Sequence, residues 1–141
     1  MSEANLEKWH AHIRGEIEGG LDTLLADDVV FYSPVVFTPQ EGKAITKLYL
    51  GAAGATFSDG ADKAELNTKE SKFKYTKEVV CGNQMVLEFE TELEGKYVNG
   101  VDIISWNDDG QICEFKVMIR PLQAVNMLHA QMKAMLEKMS G

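Results

Sequence analysis

Asp102 is the residue whose surroundings in this chain best suit chemistry. Residues 101–107 read Val-Asp-Ile-Ile-Ser-Trp-Asn. The two-residue period of a strand puts Asp102, Ile104 and Trp106 on one face, with Val101, Ile103 and Ser105 on the other. An aspartate among apolar neighbours is costly unless it is paired or held neutral. Held neutral, it becomes an acid able to donate one hydrogen bond. Two placements satisfy such a residue: the wall of an interior pocket, or a bulge where it bonds backbone amides and faces solvent.

The other reactive side chains are scattered. Ser33 precedes Pro34, and a serine hydroxyl takes part in proton transfer only beside an activating base, which no nearby histidine supplies. The three histidines, His10, His12 and His129, fall near the chain ends, so no metal-ligand cluster forms in the sequence and no metal or cofactor is expected. Cys81 and Cys113 stand alone within apolar runs and read as two buried free thiols acting as small hydrophobes. Glu88, Glu90 and Glu92 alternate with Leu87, Phe89 and Thr91, which reads as a solvated strand face paired with Lys72 and Lys74. Arg120 is the cation nearest Asp102 along the strands, and alternation sets it on the opposite face.

Several elements must position these residues. Leu6, Trp9, His10, Ile13 and Ile17 follow a helical period that Gly19-Gly20 ends. Leu21, Leu24 and Leu25 mark a short second helix closed by Asp27-Asp28. Val29 to Tyr32 reads as a strand, and Val35 to Pro39 as an extended loop. Residues 40–53 form a third helix with Ile45, Leu48, Tyr49 and Ala52 on one face, and 55–68 a mobile loop. From Ser71 the period is two. Phe73 to Val80, Leu87 to Leu93, Lys96 to Asn107 and Gln111 to Arg120 read as an antiparallel meander with turns at Glu94-Gly95 and Asp108-Asp109-Gly110. Pro121 opens a closing helix over about 122–139, with Val125, Leu128, Met132, Met135 and Met139 at helical spacing. Those methionines suit a pocket cap, a subunit contact or plain core. The fold class is α+β: a curved antiparallel sheet wrapped around the N-terminal helices, with an extra C-terminal helix, in a single domain over residues 1–141.

Composition narrows the function. The chain has 141 residues, a net charge of −8, 45% hydrophobic and 26% charged residues, which is ordinary for a globular domain. The negative charge argues against nucleic acid and against an anionic membrane surface as partners. No apolar run is long enough to span a bilayer, and residues 1–20 lack the apolar core of a signal peptide, so a cytoplasmic location is expected.

The chain resembles the nuclear transport factor 2-like superfamily, which includes ketosteroid isomerase and the SnoaL-like polyketide cyclases, and it is most similar to SnoaL-like proteins of undefined function. The resemblance rests on Leu24-Leu25-Ala26-Asp27-Asp28, Ser33-Pro34-Val35, Gly42-Lys43-Ala44-Ile45 with Tyr49, and Val101 to Asn107 followed by Asp109-Gly110-Gln111-Ile112. It spans residues 6 to about 122. It implies a cone-like α+β barrel whose hollow holds a ligand, with Phe115, Val117 and Ile119 facing inward beside Asp102. Trp9, His10, Ile13, Phe31, Ser33, Tyr49, Phe89, Ile104 and Trp106 complete the expected lining. In ketosteroid isomerase the aspartate matching Asp102 is held protonated and donates to the substrate oxygen. That enzyme's general base falls at Ser33, and its helix-borne tyrosine at Trp9 or Ile13, so its machinery does not carry over. His10 is the one candidate for the helper histidine of the cyclases.

Two function classes follow. One is a module that binds a small apolar molecule without turnover. The other is an isomerase- or cyclase-type enzyme with Asp102 as acid or oxyanion donor. A pure interaction subunit is the third alternative. Val101, Ile103 and Met118 make an apolar patch on the convex face, where a homodimer interface is expected.

Overall fold

A computed structural model describes residues 2–57, 73–93 and 95–140. Helix α1 (Ser2–Ile13) and the single turn α2 (Leu21–Leu24) precede strand β1 (Leu25–Tyr32), the short β2 (Gln40–Glu41) and helix α3 (Lys43–Phe57). Strands β3 (Lys74–Cys81), β4 (Gln84–Leu93), β5 (Lys96–Trp106) and β6 (Ile112–Arg120) follow, and helix α4 (Leu122–Ser140) closes the chain. The six strands form one curved, unclosed sheet in the order β2-β1-β6-β5-β4-β3. The expected meander is present, since β3 to β6 pair antiparallel in sequence. The sheet as a whole is mixed, because β1 runs parallel to β6.

Several boundaries differ from the sequence reading. Helix α1 stops at Ile13 instead of reaching Gly19, because Gly15 turns the chain with φ 77°, a conformation that costs glycine little. Ile17 still packs on the core from beyond the helix. The third helix begins at Lys43, since Gln40 and Glu41 are drawn off to pair with Phe31 and Val30. It runs on to Phe57 through Gly51 and Gly54. The loop expected over 55–68 lies outside the described residues from Ser58 onward. The side chains of Met132, Met135 and Met139 also lie outside them.

The core sits on the concave face. Trp9, Leu24, Leu25, Val29, Phe31, Met85, Leu87, Ile104, Trp106, Ile112 and Phe115 form one buried cluster, and Phe89, Val98 and Ala124 a second. Gly100 is where Phe89 and Ile119 close over the sheet: a β-carbon there would lie 2.6 Å from both side chains. The last hairpin is set by Asn107, whose Oδ1 accepts from the amides of Asp109 and Gln111 at 2.9 and 3.0 Å. Lys8 reaches from α1 to donate to the Gly110 carbonyl at 2.6 Å, which fixes α1 across the mouth of that hairpin.

On the outer face Lys74 stands opposite Glu90 and Lys77 opposite Glu88, a solvated row of alternating charge. Lys72 lies outside the described residues. Arg120 donates to Asn99 Oδ1 at 3.2 Å on that same outer side, away from Asp102 as alternation required. The cysteines depart from expectation: Cys81 is exposed at the end of β3, and Cys113 is only partly buried.

Candidate functional site

The strand register puts Asp102 at the centre of the concave face. It lies opposite Leu87 on one side and Val117 on the other. The neighbouring inward row carries Met85, Ile104, Phe115 and Phe31 in order across four strands. Asp102 is 7% exposed. Its carboxyl accepts from the Tyr75 hydroxyl, 3.1 Å from Oδ2, its only side-chain hydrogen bond among the described residues. Tyr75 in turn accepts from the indole N–H of Trp9 at 2.9 Å. A directed chain therefore runs from α1 through β3 to β5: Trp9 to Tyr75 to Asp102.

This chain sets the electrostatics. Burial pushes the Asp102 carboxyl from its ordinary 3.8 up to about 7, and the Tyr75 hydrogen bond pulls back only part of that. Among the described residues no cation offsets the burial, since Arg120 is on the other face. Burial likewise pushes the Tyr75 phenol well above its ordinary value, reinforced by the Asp102 charge, while the Trp9 hydrogen bond acts the other way. Tyr75 thus stays a hydroxyl at neutral pH, and Asp102 is the group that changes form there.

A second polar pair lies beside the first. His10 Nε2 is 2.6 Å from Glu78 Oε2, with both side chains about three-tenths exposed, and the His10 ring meets Tyr75 edge-on at 5.9 Å. Glu78 reaches this side because β3 is irregular. Tyr75 stands opposite Phe89, Lys77 opposite Glu88 and Glu78 opposite Leu87, with a bulge between Tyr75 and Lys77. The extra residue switches the alternation, so Tyr75 and Glu78 share the inward face.

The other expected lining residues divide by place. Phe31, Ile104 and Phe115 are buried beside Asp102, Val117 packs against them, and Tyr49 stacks on Phe31 at 5.6 Å. Phe89 and Ile119 belong to the second cluster, toward Val98 and Ala124. Trp106 is fully buried, its indole N–H has no partner among the described residues, and Lys8 Nζ sits 5.5 Å from its ring. Ser33 is occupied by a local turn in which its Oγ accepts from the Val35 amide at 3.1 Å. Ile13 is 50% exposed at the end of α1, so it does not add to the buried wall. Tyr75 and Glu78 are the residues that sequence reasoning missed. Their only signal is a break in phase, where the alternation of Phe73 and Tyr75 runs into the adjacent apolar pair Val79-Val80. No group of three or more metal-ligating side chains occurs among the described residues, and no helix among them is long and apolar enough to cross a membrane.

No family model matches the sequence, and neither does any curated protein. Solved structures do. A steroid delta-isomerase from Pseudomonas aeruginosa matches with TM-score 0.81 and 29% identity, over 97% of this chain and 92% of that one. An uncharacterized bacterial protein with a cystatin-like fold from Silicibacter pomeroyi matches with TM-score 0.71 and 29% identity, over 87% and 77%. A nuclear transport factor 2-like protein of unknown function from Mesorhizobium loti shares the fold, with TM-score 0.64 and 14% identity over 85% and 91%.

Proposed function

From the premise that this chain belongs to the nuclear transport factor 2-like superfamily, we propose that it binds a small apolar molecule against the concave face and seats that molecule's carbonyl or phenolic oxygen on Asp102. The observation that carries this reading is a buried carboxyl pushed up to about 7 among Leu87, Ile104 and Val117, its one side-chain hydrogen bond among the described residues coming from Tyr75. A neutral acid in apolar surroundings is a strong, oriented donor to a ligand oxygen. The same surroundings favour a ligand that is otherwise apolar.

A second reading keeps the same seat and adds turnover, with Asp102 stabilising the oxyanion of an enolate. What favours it is the 29% identity to a steroid delta-isomerase over nearly the whole chain.

Binding of β-tetralone, an apolar bicyclic ketone, tests the seat by calorimetry across neutral pH. A carbonyl accepts from the acid form only, so affinity should be highest below pH 7 and fall by up to about tenfold per pH unit above it. Asp102→Asn still donates and should bind with no such pH dependence, whereas Asp102→Leu should lose the anchor. Affinity that is flat through pH 7 in the unaltered protein would rule the acid donor out.

A further inference from the structure

We propose that helix α1 is a strap that lifts about Gly15 to admit a ligand to Asp102 and then closes over it. This rests on the seat described above and adds the route by which a ligand reaches it.

The seat is covered. Asp102 is 7% exposed, while Leu87, Ile104 and Phe115 around it are at 1% or less. A close-packed interior makes no room for a bicyclic ketone unless a covering element moves. Trp9 is part of that cover and is itself buried. Its ring lies 5.3 Å from Phe115 on β6, and its N–H is bonded to the Tyr75 hydroxyl from β3. The indole therefore passes across β5, the strand between them that carries Asp102.

Of the elements around the seat, α1 is held in the way most easily undone. The strands are joined by backbone ladders, and α3 and α4 pack against each other. Helix α1 is held by side chains. Lys8 bonds the Gly110 carbonyl of the last hairpin, Trp9 bonds Tyr75, and Leu6 and Trp9 add apolar packing. His10 Nε2 meets Glu78 Oε2 at 2.6 Å on β3, the edge strand. That last pair is about three-tenths exposed, so water can take the place of either partner. The bulge in β3 is what turns Glu78 toward α1, and it thereby supplies the latch.

The pivot lies just past the helix. Ile17 stays packed on the core, so any movement of α1 must be absorbed between Ile13 and Ile17. Gly15 stands there with φ 77°, and a β-carbon on it would meet nothing within 4 Å. Its backbone can turn without striking a neighbour, as hinge residues at the ends of elements do. Lifting about this point withdraws Trp9 from both Phe115 and Tyr75 and uncovers Asp102, while the sheet stays whole. A ligand enters only the open form, so its association rate scales with the population of that form.

The experiment joins two measurements on the full chain: amide hydrogen exchange of α1, and stopped-flow association of β-tetralone followed by tryptophan fluorescence. In the unaltered protein the α1 amides should be less protected than those of β4 and β5, and the bound ketone should raise their protection. Glu78→Ala removes the latch, and Lys8→Met removes a tie that lies at the hairpin and not at the seat. Each should lower α1 protection and raise the association rate by the same factor, about two- to fivefold. Lys47→Met, which removes a surface pair with Asp22, should change neither. An association rate that does not follow α1 protection would overturn the strap and leave the Asp102 seat standing. So would α1 amides as protected as the central strands, or ties whose removal changes neither readout. Absence of ketone binding overturns both.

Discussion

Replacing Asp102 by asparagine should stabilise the protein, and by an amount that depends on pH. A carboxyl that ionises at 3.8 in the unfolded chain and at about 7 in the fold binds a proton between those values that the unfolded chain has lost. Stability contributed by this group is therefore full below the lower value, falls as pH rises toward 7, and stays low above it. The cost of burying the carboxylate therefore grows by about 3 kcal/mol between pH 5 and pH 8.5. Asparagine carries no charge at either pH, and its Oδ1 can still accept from Tyr75. The gain of Asp102→Asn over the unaltered protein should thus be about 3 kcal/mol larger near pH 8.5 than near pH 5. Urea unfolding of both proteins at matched concentration measures this, and taking the difference cancels every other titrating group. An equal difference at the two pH values would mean that Asp102 ionises near 4 in the fold, and the desolvation argument would be refuted.

Tyr75→Phe removes the hydrogen bond that holds the Asp102 carboxyl down, so its titration midpoint should move above about 7 in a carbon-detected NMR titration, and a lower midpoint would contradict the network. The same change strips the Trp9 indole of its acceptor, at a stability cost of about 1–3 kcal/mol. A homodimer is expected through the convex face, where Val79, Val86 and Met118 are 51%, 38% and 51% exposed and Val79, Val86 and Ile103 stand in one row across three strands. Light scattering at micromolar concentration should report a dimer that Val86→Glu dissociates, and a monomeric unaltered protein would remove the claim.

The sequence carried most of the sheet. From Leu87 to Arg120 the alternation is unbroken until the hairpin end, so the inward set Phe115, Val117 and Ile119 and the outward Arg120 were legible from period alone. The parallel β1–β6 contact was not, because pairing between strands eighty residues apart leaves no mark in local pattern. The early end of α1 was hidden because Ile17 keeps the helical period while reaching the core from a turn. Asp102 was legible as a buried acid because its neighbours on the strand are apolar. Its partner was not: a tyrosine on a half-buried strand reads as wall, and only tertiary contact makes it a donor. Glu78 was hidden by the bulge, since strict alternation from Tyr75 would point it at solvent.

The network also decides where the Asp102 acid puts its proton. The Tyr75 oxygen is occupied by the Trp9 N–H, so its own hydrogen is left to point at Asp102 Oδ2. When Asp102 takes up a proton, the line between Tyr75 and Oδ2 already holds one, and a second there would set two hydrogens against each other. The acid proton therefore belongs on Oδ1, the oxygen turned away from Tyr75. An indole on a different element thus orients a donor two residues along the chain of hydrogen bonds. Trp9 is held in place for this by packing, its ring 5.3 Å from Phe115, which itself lies beside Ile104 and Phe31. A core tryptophan and a hydrogen-bond donor are then not competing descriptions of Trp9. Its burial fixes the N–H, the N–H fixes the phenol, and the phenol leaves Asp102 only one direction in which to donate.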